Sequence, residues 1–269
     1  MDTQDIGWLN LLIGLLILIF PLWILQKYKT GLAKDALISS GRMVLQLLLV
    51  GFYLEFLFRI NLWWANILWL LVMIVVAAFT MIGRTGLKWR KFLLPNFLAL
   101  LFTLLFVDVF FLMLVVQMKT VFEARYLIPV SGMILGNAMQ NSIIALNDFY
   151  NEIKTHPAVY RFSLANGATL RESLKSYYKN ALIKSLNPTV AKMAVIGLIA
   201  LPGTMTGQII GGSSPVTAIK YQIMLMVVIF AASAISSWLC LILSSRYAFD
   251  DMGNLRKGIF YPIKRQKKK

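Results

Sequence analysis

Asp108 is the residue whose surroundings most need a chemical explanation. It stands in the run Phe106-Val107-Asp108-Val109-Phe110, with no cation within one helical turn. A buried carboxyl in such a setting resists ionisation unless a cation, a metal ion or a proton route serves it. Two readings stay open: a site acid on a transit pathway, or a neutral structural acid. A second set of polar residues, Ser131, Asn137, Gln140, Asn141 and Ser142, interrupts another apolar run. Helical spacing puts Met133, Asn137, Gln140 and Asn141 on one stripe. Such amides either line a polar pathway or tie helices together, and both readings are kept. Thr204, Met205, Thr206 and Gln208 repeat the pattern further along. Glu55 and Arg59 sit one turn apart and read as an interfacial ion pair. The thirteen methionines offer soft thioethers, but methionine is also an ordinary packing residue.

Missing motifs narrow the chemistry. There is no GxxxxGK[ST] phosphate loop, and none of the seventeen glycines precedes a lysine, so a Walker-type nucleotide site is excluded. The single histidine, His156, falls in a polar connection, which leaves no Ser-His pair or HExxH zinc site at membrane depth. One cysteine, Cys240, lies in an apolar run and forms no disulfide framework within one chain. No catalytic residue is assigned, no cofactor is expected on this chain, and a metal site is not identified.

The elements that carry these residues follow from composition. Of 269 residues, 59% are hydrophobic and 14% charged, with a mean hydropathy of +0.72. That describes an all-α polytopic membrane protein rather than a soluble domain. Apolar runs place about seven transmembrane helices at 6–25, 43–58, 62–82, 92–116, 126–146, 193–212 and 219–244, each near the length that crosses a ~30 Å hydrocarbon layer. They form one transmembrane domain over 1–269. Barrel strands are excluded by the continuity of the runs. The first run reads as a retained anchor, because Asp2 and Asp5 precede it and no small-residue cleavage site follows.

The net charge of +16 reflects topology, not nucleic acid. Lys27, Lys29, Lys34 and Arg42, then Arg84, Lys88, Arg90 and Lys91, then the 147–192 segment, then everything from Arg246 onward hold most of the 27 basic residues. The alternate connections hold only Arg59, Lys119, Arg125 and Lys220. This asymmetry puts the N-terminus outside and the C-terminus in the cytoplasm, with the chain in the cell membrane. The tail ending Lys267-Lys268-Lys269 reads either as a contact with anionic membrane lipid or as a solvated charge run.

Residues 147–192 are the one long polar connection. Its first part, Asp148 to Ala165, reads as a helix restarted at Pro157 and stopped by Asn166-Gly167. Thr169 and Glu172 fit a capping box opening a second helix that can run to Asn187-Pro188. The result is a cytoplasmic elbow joined at Gly167. Nearby, Gly132 and Gly136 in span five, and Gly203, Gly207 and Gly211 in span six, form faces on which backbones can approach closely. Pro202 is expected to kink or break span six.

Four stretches then carry a resemblance: EARYLIPVSGMILGNAM from Glu123 to Met139, NGATLRES from Asn166 to Ser173, LPGTMTGQI from Leu201 to Ile209, and SPVTAIKYQ from Ser214 to Gln222. Together they resemble the FetB-like permease family, which comprises bacterial iron-export permeases and plant aluminium-tolerance permeases. The resemblance implies the membrane subunit of an ATP-binding cassette transporter. Such a subunit forms a homodimer and pairs with a cytoplasmic ATPase that holds ATP and magnesium. By that analogy Asn166, Gly167, Ala168, Thr169, Arg171 and Glu172 belong to a coupling helix. Asp108, Met133, Asn137, Gln140, Asn141, Thr204 and Gln208 become pathway candidates, and iron the expected exported cargo. Plant relatives are linked to aluminium and to UDP-glucose, so another cargo stays open. So do an importer subunit and a membrane scaffold that moves nothing.

Overall fold

A computed structural model describes residues 6–118, 123–250, 252–256 and 258–260. The basic tail at 267–269, the acidic residues Asp2 and Asp5, and Lys119 lie outside these. Among the described residues the secondary structure is helical. The chain starts with α1 (Trp8–Leu15) and α2 (Ile19–Lys27), joined through the 3₁₀ turn Leu16–Leu18 into one apolar rod. Next come α3 (Ala33–Ile60), α4 (Trp63–Thr85) and α5 (Trp89–Val109), which runs into a π-helical turn over Phe110–Val115. Then follow α6 (Ala124–Thr155), α7 (Pro157–Ala165), α8 (Leu170–Val195), α9 (Gly203–Ile210) and α10 (Pro215–Ala248). Among the described residues five helical stretches are long and apolar enough to cross a membrane: Trp8–Lys27, Ala33–Ile60, Trp63–Thr85, Trp89–Val115 and Pro215–Ala248. The amides of α6 leave it less apolar than these, although it is long enough to cross.

The core is built by α4, α5, α6, α8 and α10 around Ile74, Met81, Phe92, Leu104, Ile134 and Leu146. Ser142 donates to Ser236 Oγ at 3.1 Å and the Tyr150 hydroxyl to Ser244 Oγ at 3.0 Å. The constant offset in these pairs shows that α6 and α10 run parallel. α8 runs against α6, since Asn141 meets Thr189 and Glu152 meets Asn180. The first three helices are peripheral. No residue of α1 or α2 is buried, and in α3 only Leu57 is. α3 is held at its far end, where Asn61 adopts a left-handed conformation (φ 44°) and its Oδ1 accepts the Ala124 backbone N–H at 3.0 Å. Tyr53 lies on Trp69 with ring centroids 4.1 Å apart.

At the opposite end of the bundle three segments meet. The Lys88 N–H donates to the Ile259 carbonyl at 2.8 Å, tying the α4–α5 connection to the C-terminal stretch. The Tyr160 hydroxyl of α7 donates to the Gly253 carbonyl, and Tyr160 is buried.

In span six the break expected at Pro202 is present, but the bounds of the helices differ from the sequence reading. The apolar run at 193–212 is not one helix. α8 passes through Asn187-Pro188, stops at Val195, and helix resumes only at Gly203. Pro188 removes one N–H from the ladder, but α8 is held on both sides by Asp148, Asn141 and Ser245, and this packing outweighs the lost bond. The stop comes where Gly197 takes φ +87° and its N–H bonds the Ala200 carbonyl at 3.0 Å. Pro202 then N-caps α9. Much of the segment expected to be a cytoplasmic connection is therefore packed helix, with α6 reaching Thr155.

Locally coded features of the elbow do form. α7 begins at Pro157, and Gly167 takes φ +85°. The Glu172 carboxylate accepts the Thr169 hydroxyl at 2.7 Å and the Thr169 N–H at 2.8 Å, while the Glu172 N–H donates to Thr169 Oγ1 at 3.3 Å. These bonds from Thr169 hold the Glu172 carboxyl below the usual carboxylate range. A group so depressed stabilises the cap above its unfolded pKa and loses that contribution as pH falls through its folded one. Thr169→Ala should cost the helix start about 1 kcal/mol, read as roughly fivefold faster amide hydrogen exchange in the first turn of α8 at neutral pH. The wild-type protection there should weaken on acidification below pH ~4.

Candidate functional site

The candidate residues fall in three places, not one. The first is at the end of α5. Asp108 is 5% exposed, and the Ser131 hydroxyl of α6 donates to its Oδ2 at 2.6 Å. Its other oxygen, Oδ1, is buried and has no hydrogen-bond partner among the described residues. The π-helical turn begins two residues later, and such turns recur where a helix is distorted for function. Ser131 could be seen as polar in sequence, but its link to Asp108 spans 23 positions and two helices.

The second place is on α6 ten residues further, about 15 Å along the axis at the helical rise. Asn141 Nδ2 donates to Thr189 Oγ1 of α8 at 3.0 Å. Asn137 turns back on its own helix, donating to the Met133 carbonyl at 2.8 Å. Gln140 is exposed, and Met133 is half-buried against the core. The amide stripe therefore splits into one interhelical bond, one local bond and one free amide. The structure does not bring it to Asp108.

The third place lies at the break between α8 and α9. Thr204 donates to Gln222 Oε1 of α10. Beside it is a pocket of about 430 Å³ whose lining includes Met193, Met205, Met226, Pro202 and Gln222. Gln208 is half-buried on the same short helix. Sequence reasoning named Thr204 and Gln208 but not Gln222, the partner of Thr204, nor Met193 and Met226. A chain of α10 hydroxyls was also missed: Ser233, Ser236, Ser237, Ser244 and Ser245 are all buried along one side. The signal was present as serines at helical spacing in an apolar run.

The glycines separate in the same way. A Cβ on Gly132 would come within 3.1 Å of Met73 Cε, so its absence lets α4 approach α6. Gly136, Gly203 and Gly207 face open space, and a Cβ on Gly211 would meet its own helix at the Gly207 carbonyl, 3.1 Å away. Within one chain the expected packing face is therefore real at Gly132 and vacant at Gly136, Gly203 and Gly207. No three His, Cys, Asp or Glu side chains among the described residues gather to hold a metal ion.

The elbow has its own surface. Arg171 is exposed, Asn166 Nδ2 donates to the Phe162 carbonyl at 2.8 Å, and Ala168 lies between the Gly167 turn and the Thr169 cap. On α7, Val159 is 66% exposed and Phe162 72% exposed, three residues apart on one face.

Apolar crossing helices, polar groups paired across helices and a broken span define a helical multi-pass membrane protein. The chain belongs to the Uncharacterised protein family (UPF0014), whose model matches residues 8–249. It is 32% identical to the UPF0014 membrane protein slr1647 of Synechocystis, over 88% of this chain and 90% of that one. It is 36% identical to the protein ALUMINUM SENSITIVE 3 of Arabidopsis thaliana, over 77% and 74%. It is 28% identical to the probable iron export permease protein FetB of Escherichia coli, over 95% and 97%. No solved structure matches.

Removing the one donor to Asp108 among the described residues leaves a buried carboxyl without compensation. Ser131→Ala should lower stability by about 1–3 kcal/mol, measured by thermal unfolding in detergent. Adding Asp108→Leu should recover part of that loss, because the double variant has no buried polar group left unpaired.

Proposed function

We propose that this chain is the permease subunit of an ATP-binding cassette transporter and that it exports metal ions, iron in the first instance. The observation that carries the reading is the end-to-end similarity to a relative named as a probable iron export permease. Support comes from the absence of a phosphate loop, so that ATP and magnesium belong to a separate cytoplasmic subunit. The elbow of α7 and α8 is the docking element. Its exposed Val159 and Phe162 give a partner groove apolar contacts, and Gly167, Thr169, Arg171 and Glu172 shape the turn beside them. In this reading the elbow and the C-terminus lie in the cytoplasm and the N-terminus outside, as the basic residues favour.

The open glycines Gly136, Gly203 and Gly207 suit a second copy, so the working form is a homodimer. Asp108, Met133, Asn137, Gln140, Asn141, Thr204 and Gln208 are the pathway residues. The break between α8 and α9 is the element that changes shape, because its backbone is not locked in a helical ladder. A cargo rich in hydroxyls, such as UDP-glucose, is a second reading. It is favoured by the Thr204–Gln222 pair, which offers hydroxyl and amide groups but no charge.

Co-expression with the cognate ATPase and assay in lipid should give co-purification and ATP hydrolysis stimulated by Fe²⁺ more than by Al³⁺ or UDP-glucose. Gly167→Pro and Arg171→Glu should each lose co-purification. Cells carrying Asp108→Asn with Gln208→Ala should become as sensitive to iron as cells lacking the chain. Normal complex and normal iron tolerance in these variants would remove both the coupling and the pathway assignments.

A further inference from the structure

A cleft of about 540 Å³ lies between the first half of α8 and the last turns of α10, away from the polar pairs described above. Its rim carries three cations, Arg171 and Lys175 from α8 and Arg246 from α10, and no acidic side chain lines it. All three are exposed, and among the described residues none makes a salt bridge. The wall below them is apolar, with Leu182, Trp238 and Ile242. At its base the Tyr178 hydroxyl donates to Ser245 Oγ at 2.8 Å, so the floor is closed and its polar atoms are partnered.

The position of the cleft relative to the bilayer can be read from α10. Between Lys220 and Arg246 that helix carries no charged residue, so Arg246 marks one end of its membrane crossing. Trp238 lies two turns inside that end and is 52% exposed. Unpaired cations thus sit at headgroup level, and directly beneath them lies an apolar channel with a half-exposed indole on its wall. A soluble anion would satisfy the cations but not the channel; an acyl chain alone would fill the channel but not the cations.

We propose that this cleft is a binding site for an anionic phospholipid, with Lys175, Arg246 and Arg171 around its phosphate and an acyl chain along Leu182, Trp238 and Ile242. Basic pockets between membrane helices take anionic headgroups for this reason, and an interfacial tryptophan suits the junction of headgroup and chain. The lipid would brace α8 against α10 at the end where the elbow begins.

The test uses the full-length chain in phosphatidylcholine vesicles containing phosphatidylglycerol, with either lipid brominated on its acyl chains. The Trp238 signal is the difference between wild-type fluorescence and that of Trp238→Phe. Brominated phosphatidylglycerol should quench this signal at least about threefold more strongly than brominated phosphatidylcholine at equal surface fraction, as a charged site requires. In the Lys175→Gln, Arg246→Gln double variant, which leaves Arg171 in place, the ratio should fall to about one. Equal quenching by the two lipids in the wild type, or a ratio unchanged in the double variant, would overturn the assignment. Absence of quenching by either lipid would also overturn it, since a protein surface would then cover the cleft.

Discussion

The parallel contact between α6 and α10 sets the geometry of everything around it. Two apolar helices in lipid gain nothing from hiding hydrocarbon that lipid would cover equally well, so they must approach closely and pair their polar groups. Here serine does both. Ser142 and Ser236 bond across the contact, Ser236 also donates to the Ala138 carbonyl at 3.3 Å, and Tyr150 reaches Ser244. Each such bond is worth only about 0.6 kcal/mol in a membrane protein, so three of them do not hold the bundle by energy. Their effect is on register. A slip of one residue would strand several hydroxyls at once, whereas the surrounding leucines and isoleucines would tolerate it. With α6 and α10 fixed, α5 and α8 find their places against both, and Asp108 and Thr189 are brought to their partners on α6.

The break at 196–202 follows from the same accounting of polar groups. Unpaired backbone at membrane depth is tolerated where it lines a cavity or is buried in protein. The chain meets this by closing a small turn between Gly197 and Ala200 and restarting the helix beyond Pro202, with a methionine-lined pocket alongside. The methionines suit this place because their unbranched chains fill an irregular gap.

Features coded within a few residues could be read directly from the chain. The capping box at Thr169, the turn at Gly167 and the restart at Pro157 each depend on near neighbours, and each forms. The crossing helices are visible as apolar runs, and the start of α8 is visible in its capping box, while its C-terminal end is not. The apolar stretch from 193 to 212 looks like a span interrupted at Pro202, and that interruption forms, but the left-handed turn at Gly197 that ends the ladder earlier is not legible. Conversely Pro188 looks like a stop, yet neighbouring helices carry α8 through it. The polar candidates were visible as residue types but not as partners, because Ser131 with Asp108 and Thr204 with Gln222 exist only after the helices have assembled.

The latch between Tyr160 and Gly253 joins parts of the chain that are far apart in sequence. Gly253 belongs to the turn that follows α10, closed by Arg256 donating to the Phe249 carbonyl, and Ile259 further on is bonded to Lys88 at the start of α5. Any displacement of α7 that keeps these bonds is consequently shared with the ends of α10 and α5. The elbow is therefore mounted on two helices and not on the Gly167 turn alone.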